Sequence, residues 1–121
     1  MPQYLLLIHE SEQAYQGAGE DSFNEIMAMH NDFGEAVKAA GAKVVSGEAL
    51  QPSSTATYLR GTRTADVQPV DNPAPELKEV LGGYYLIEAA DDAQADQLGR
   101  LCPAPYGYIE VRPIWDFSQA Q

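Results

Sequence analysis

The sequence predicts an α+β domain whose helices pack on one face of a largely antiparallel sheet. Three observations carry this expectation. Apolar runs of strand length stand near the start, at 84–89 and near the end. One long helical stripe, with apolar residues at steps of three and four, lies between 22 and 40. The order strand–helix–strand occurs twice, with a hairpin between the two occurrences. At 121 residues the chain has the length of one ordinary domain, spanning 1–121. With 45% apolar residues it can build a core.

Residues 3–9 (QYLLLIH) form a short, nearly continuous apolar run, as in a central strand covered on both sides. Residues 10–19 are polar with two glycines and read as a surface loop. Ser22-Phe23-Asn24-Glu25 matches a capping box that would open a helix. Phe23, Ile26, His30, Phe33, Val37 and Ala40 then form one inward stripe, and Gly41 stops the helix. Residues 43–50 predict a second strand. Residues 51–54 turn the chain, and 55–60 with 67–70 make a hairpin. A rigid turn at 71–75 precedes a helical turn at 76–80 and a strand at 84–89. Asp91 or Asp92 caps a short helix running to Leu101, ended by Cys102-Pro103. Residues 108–115 form the last strand, with Pro113 marking an edge or bulge.

This order is the split βαβ plan of ferredoxin-like domains, with a hairpin insertion. Helices cover one sheet face only, yet the strands are apolar at both parities. Tyr4, Leu6 and Ile8 stand against Leu5 and Leu7, and Tyr84 and Leu86 against Tyr85 and Ile87. The second face also needs a cover, and a second copy of the chain is the simplest one, so a homodimer is expected.

Eighteen acidic and seven basic residues give a net charge of −11. The basic side chains are scattered, which argues against nucleic-acid binding and against docking on an anionic membrane. The opening MPQYLLLIHE has too short an apolar run, and no basic residues before it, to be a signal peptide. One cysteine permits no internal disulfide, and the cytoplasm is the expected compartment.

Several segments together resemble the YCII-related superfamily, and within it the branch named for a DGPF motif. They are YLLLIHE, SGEALQP, the stretch 71–79, LGGYYLIEA, Cys102-Pro103 and EVRPIW. In 71–79 the pattern D-G-P-F-A-E-T-K-E is matched at Asp71, Pro73, Glu76, Lys78 and Glu79. Asn72 and Ala74 replace its Gly and Phe. Asn tolerates left-handed backbone angles, so the turn can persist, whereas losing the Phe opens whatever that ring packs against. The resemblance implies a dimeric α/β barrel built from two ferredoxin-like units. It also implies a polar His/Asp pair in a cleft between helix and sheet. Some members act on small ring compounds, a dehalogenase of lactone intermediates among them. Others are encoded beside extracytoplasmic-function sigma factors.

His30, in the apolar stripe, is a candidate acid/base; the alternative is a structural histidine with a satisfied hydrogen bond. Asp71 would orient it or accept a proton, or else bonds its own turn. His9, at the end of the first strand, is a third catalytic candidate; the alternative is an exposed residue with no task. Glu48, Tyr84 and Tyr85 are candidate ligand-binding residues. The tyrosines could instead serve the core and dimer interface, and Glu48 could be a solvated edge carboxylate. No pair has metal-ligand spacing, so neither a metal nor another cofactor is expected. Cys102 reads as a packed small side chain. The two functional expectations are cofactor-free proton transfer on a small ring compound and a non-catalytic dimeric module binding a ligand or partner.

Overall fold

The computed structural model describes residues 1–119. In chain order it contains β1 (Gln3–Ser11), α1 (Glu12–Gln16), α2 (Glu20–Ala39), β2 (Lys43–Ala49), β3 (Tyr58–Arg60) and β4 (Gln68–Val70). These are followed by β5 (Glu79–Glu88), α3 (Asp92–Gly99) and β6 (Gly107–Pro113). Four strands make one sheet in the order β2-β5-β1-β6, antiparallel at every pairing. β1 and β2 therefore run parallel to each other with β5 inserted between them. This is the ferredoxin-like arrangement, and β3 and β4 stand apart as a separate two-stranded hairpin.

The pleat divides the strand residues between two faces. Tyr4, Leu6 and Ile8 of β1 and Ile87 of β5 are buried with Phe33 and Val37 of α2 and Ala95 and Leu98 of α3. Their neighbours Leu5, Leu7, Tyr84 and Leu86 turn to the opposite face and are only half-buried within one chain.

α2 begins earlier than the capping box suggests. It starts at Glu20 after Gly19, which offers no side-chain cap, and Ser22 lies inside the first turn. Glu20 and Asp21 favour this earlier start, because carboxylates near a helix N-terminus meet its exposed N–H groups. Its end is as expected. Gly41 takes φ 77°, donating to the Lys38 carbonyl while Ala42 donates to that of Val37, the paired closure that a left-handed residue permits.

The segment 10–19 is not a plain loop. β1 continues to Ser11 because β5 and β6 still offer partners at Val80, Glu79 and Gly107. The Ser11 hydroxyl then accepts from the Ala14 N–H at 3.2 Å and starts α1. Likewise the helical turn expected at 76–80 gives way to a bend, in which Leu77 donates to the Ala74 carbonyl, and Glu79 and Val80 join β5. Pairing to a central strand outweighs local propensity at both places. α3 stops at Gly99 rather than Leu101, with Asp91 as its cap, accepting from the Gln94 N–H at 2.8 Å.

One polar contact ties β1 to the start of α3. The buried Tyr4 hydroxyl donates to Asp92 at 2.6 Å. That bond, then burial, then the charges of Asp92 and Asp91, push the phenol from 10.0 up to about 12. The folded pKa lies above the unfolded one, so the contribution is full below pH 10 and disappears as the pH rises towards 12. Wild type is therefore expected to be more stable than Tyr4→Phe at pH 8, with the difference in urea midpoint shrinking above pH 10. A pH-independent difference would mean that the bond does not govern this titration.

Candidate functional site

α2 crosses the sheet so that its stripe does not bury evenly. Ile26, Phe33 and Val37 are fully covered, His30 is half-buried, and Phe23 and Met27 remain exposed. Beneath that uncovered half lies a cavity of about 570 Å³. Its floor is formed by the ends of β1 and β2 and the start of β5, and α1 closes one side. Ile8, Met27, Leu50, Val80 and Leu81 supply apolar wall. This is the usual character of a small-molecule site: an apolar hollow with a few polar groups.

The central polar pair is His30 and Tyr85. Nδ1 and the phenol oxygen share a hydrogen bond of 2.6 Å, and the rings lie 5.8 Å apart. Tyr85 is held from behind by Phe33, at 4.8 Å between ring centroids. It also lies over Gly47, where a Cβ would come within 2.6 Å of its Cδ1, so only glycine leaves the ring this position. Burial lowers the His30 pKa and raises that of Tyr85, the latter further through Cys102. At neutral pH both groups are uncharged. With the ring proton on Nε2, Nδ1 accepts the tyrosine hydroxyl, and the pair can pass a proton to or from a bound molecule. As pH falls below the ordinary histidine range, the unfolded chain takes up a proton that the folded one resists. His30 therefore costs stability in acid.

The α1 end of the cavity carries groups from the segment 10–19, which the sequence predicts as loop. Glu10 is half-buried, and burial raises its carboxyl pKa against the opposing N–H bond from Tyr106 at 3.1 Å. Glu12 accepts the Ser53 N–H at 2.9 Å and fastens the turn before the hairpin. Tyr15 stands beside them, its pKa raised by burial and then by Glu10 and Tyr106. Ser11 followed by Glu-Gln-Ala-Tyr-Gln is an N-cap before residues of mostly good helix propensity, a signal that could have revealed α1.

The other candidates stand apart from the His30–Tyr85 pair. Glu48 and Tyr84 border the cavity, but the β2–β5 register sets them opposite each other on the sheet face that points away from α2. His9 is on that same face, 3.0 Å from Glu110 and stacked on Tyr108 at 4.8 Å, while Glu110 also pairs with Arg112. Asp71 is exposed in the segment leading to β5 and does not line the cavity. Cys102 is buried, and burial followed by the charge of Glu10 pushes its thiol up to about 12, leaving it protonated and a poor nucleophile. Among the described residues, no three His, Cys, Asp or Glu side chains could together hold a metal ion. Among them, no helix is long and apolar enough to cross a membrane.

This helix, sheet and cleft coincide with a known domain, since residues 2–118 match the YCII-related domain. The chain belongs to that family. The match covers every strand and helix from β1 to β6, so the cavity and its His30–Tyr85 pair lie within the YCII-related domain. No curated protein matches the chain.

Proposed function

We propose that this YCII-related protein binds a small ring compound in the cavity under α2 and transfers a proton to or from it without a cofactor. The observation that carries the reading is the 2.6 Å bond between His30 and Tyr85, in the wall of an apolar hollow large enough for such a ligand. Tyr85 takes the part of histidine partner that Asp71 would have filled, because Asp71 is outside the cavity. His30 then acts as the acid/base, and Tyr85 fixes its ring and tautomer.

The stretch 71–79 supports placing the chain in the DGPF branch, with Asn72 and Ala74 in the altered positions. Leu5, Leu7, Tyr84 and Leu86, half-buried on the sheet face away from the helices, support a two-fold dimer that joins these faces into a barrel. A ligand-binding module without turnover, serving a sigma-factor-linked response, is the second reading. It is favoured by the exposure of Asp71, since among the described residues His30 is bonded to the Tyr85 hydroxyl rather than to a carboxylate.

One experiment separates the two. A panel of ring compounds is screened for binding by changes in the Met27 methyl NMR signal, and for proton exchange or conversion of those that bind. For a compound that is turned over, His30→Ala should lower kcat by about 10²- to 10⁴-fold. Tyr85→Phe should lower it less and change the pH profile. Binders that neither exchange nor convert, with unchanged affinity in His30→Ala, would retire the catalytic reading.

A further inference from the structure

The cavity has a charge character that restricts what it can admit. Three carboxylate residues border it, Glu10 from β1, Glu12 from α1 and Glu48 from β2, and no lysine or arginine does so among the described residues. Glu48 faces away, but Glu10 and Glu12 stand on the helix side with Tyr15. Among the described residues the one basic side chain in the lining is His30, hydrogen-bonded to Tyr85, and burial disfavours its charged form. An anionic ligand would therefore lose its hydration and meet no counter-ion, beside half-buried carboxylates and within a chain of net charge −11.

We infer that the ligand is an uncharged compact ring compound, that the corresponding carboxylate is excluded, and that Glu10 sets this selectivity. Among the described residues Glu10 takes one protein hydrogen bond, from the Tyr106 N–H to Oε2. Oε1 is then available to accept a hydroxyl or N–H from the ligand, an interaction that a ligand carboxylate cannot provide. Specificity arises in this way when a site repels the wrong charge as well as accepting the right group. The inference rests on the cavity being the ligand site.

The test compares 1-naphthol with 1-naphthoate at neutral pH, by isothermal titration and by shifts of the Met27 methyl signal, with wild type and Glu10→Gln. Glutamine keeps an acceptor for the Tyr106 N–H. Naphthoate is expected to bind wild type at least about tenfold more weakly than naphthol, a difference of about 1.4 kcal/mol. Glu10→Gln should strengthen naphthoate binding at least about threefold, and Glu12→Gln should do so less. Equal or tighter binding of naphthoate to wild type overturns the inference while the cavity reading stands. A persistent gap in a folded Glu10→Gln removes the role of Glu10. If neither probe moves the Met27 signal, the cavity reading fails, and the inference fails with it.

Discussion

Replacing Phe33 with alanine should lower the stability of the chain by about 3–5 kcal/mol, read from urea unfolding. Phe33 is 1% exposed and lies between α2 and the sheet, among Leu6, Val37 and Ile87. Truncation removes the whole ring and leaves a hole that rigid strands on one side and a continuous helix on the other cannot close. Against a typical domain stability of about 5–15 kcal/mol, this loss is a large fraction. Its second consequence concerns the site. Phe33 supports the Tyr85 ring at 4.8 Å, so the His30–Tyr85 bond should loosen and the His30 ring signals should broaden. Phe33→Leu, which keeps more of the volume, should cost much less. A loss below about 1 kcal/mol for Phe33→Ala would mean that α2 is held to the sheet by other residues.

The second large effect is expected on the open sheet face. Leu7→Glu should convert a dimer to a monomer, weakening association by about a thousandfold or more. Two-fold symmetry places one new carboxylate from each copy in the same apolar layer, and a buried charge without a partner costs several kcal/mol. Within one chain Leu7 is only half-buried, so circular dichroism should change little. Sedimentation equilibrium reads the result directly. A wild type that sediments as a monomer, or a Leu7→Glu protein that remains a dimer, would remove the barrel from the proposal. His9, Glu110 and Arg112 lie on this same face. That placement fits a polar part of an interface better than a place in the cavity.

The strands and helices were legible because their signals are periodic. The stripe through Ile26, Phe33 and Val37 repeats at helical spacing, and the two parities of Tyr4–Ile8 announce a strand with apolar residues on both faces. Gly41 was legible for a local reason: its left-handed φ suits only a few residue types. The segments misread were those whose conformation depends on a distant partner. Glu10 and Ser11 extend β1 because residues 79–80 and 107 lie beside them, and no local pattern reports a pairing across such separations.

The site divides in the same way. His30 was found from its position in an apolar stripe, where a histidine is conspicuous. Tyr85 was a ligand-binding candidate, but its pairing with His30 was not legible, because it lies 55 residues away and reaches His30 only when α2 is laid across β5 above the bare backbone of Gly47. Asp71 is equally suitable by residue type, but it is exposed and does not line the cavity.

By itself, the sequence determined an acidic α+β chain with the split βαβ order and a histidine on the inner face of its long helix. These features follow from composition and from spacings within single elements. Only the tertiary structure decided that this histidine faces a tyrosine across an apolar hollow, that Glu10 rather than Asp71 borders the hollow, and that His9 lies on the other side of the sheet. Strand register and pleat make those choices, and they are fixed by pairings between segments distant in the chain.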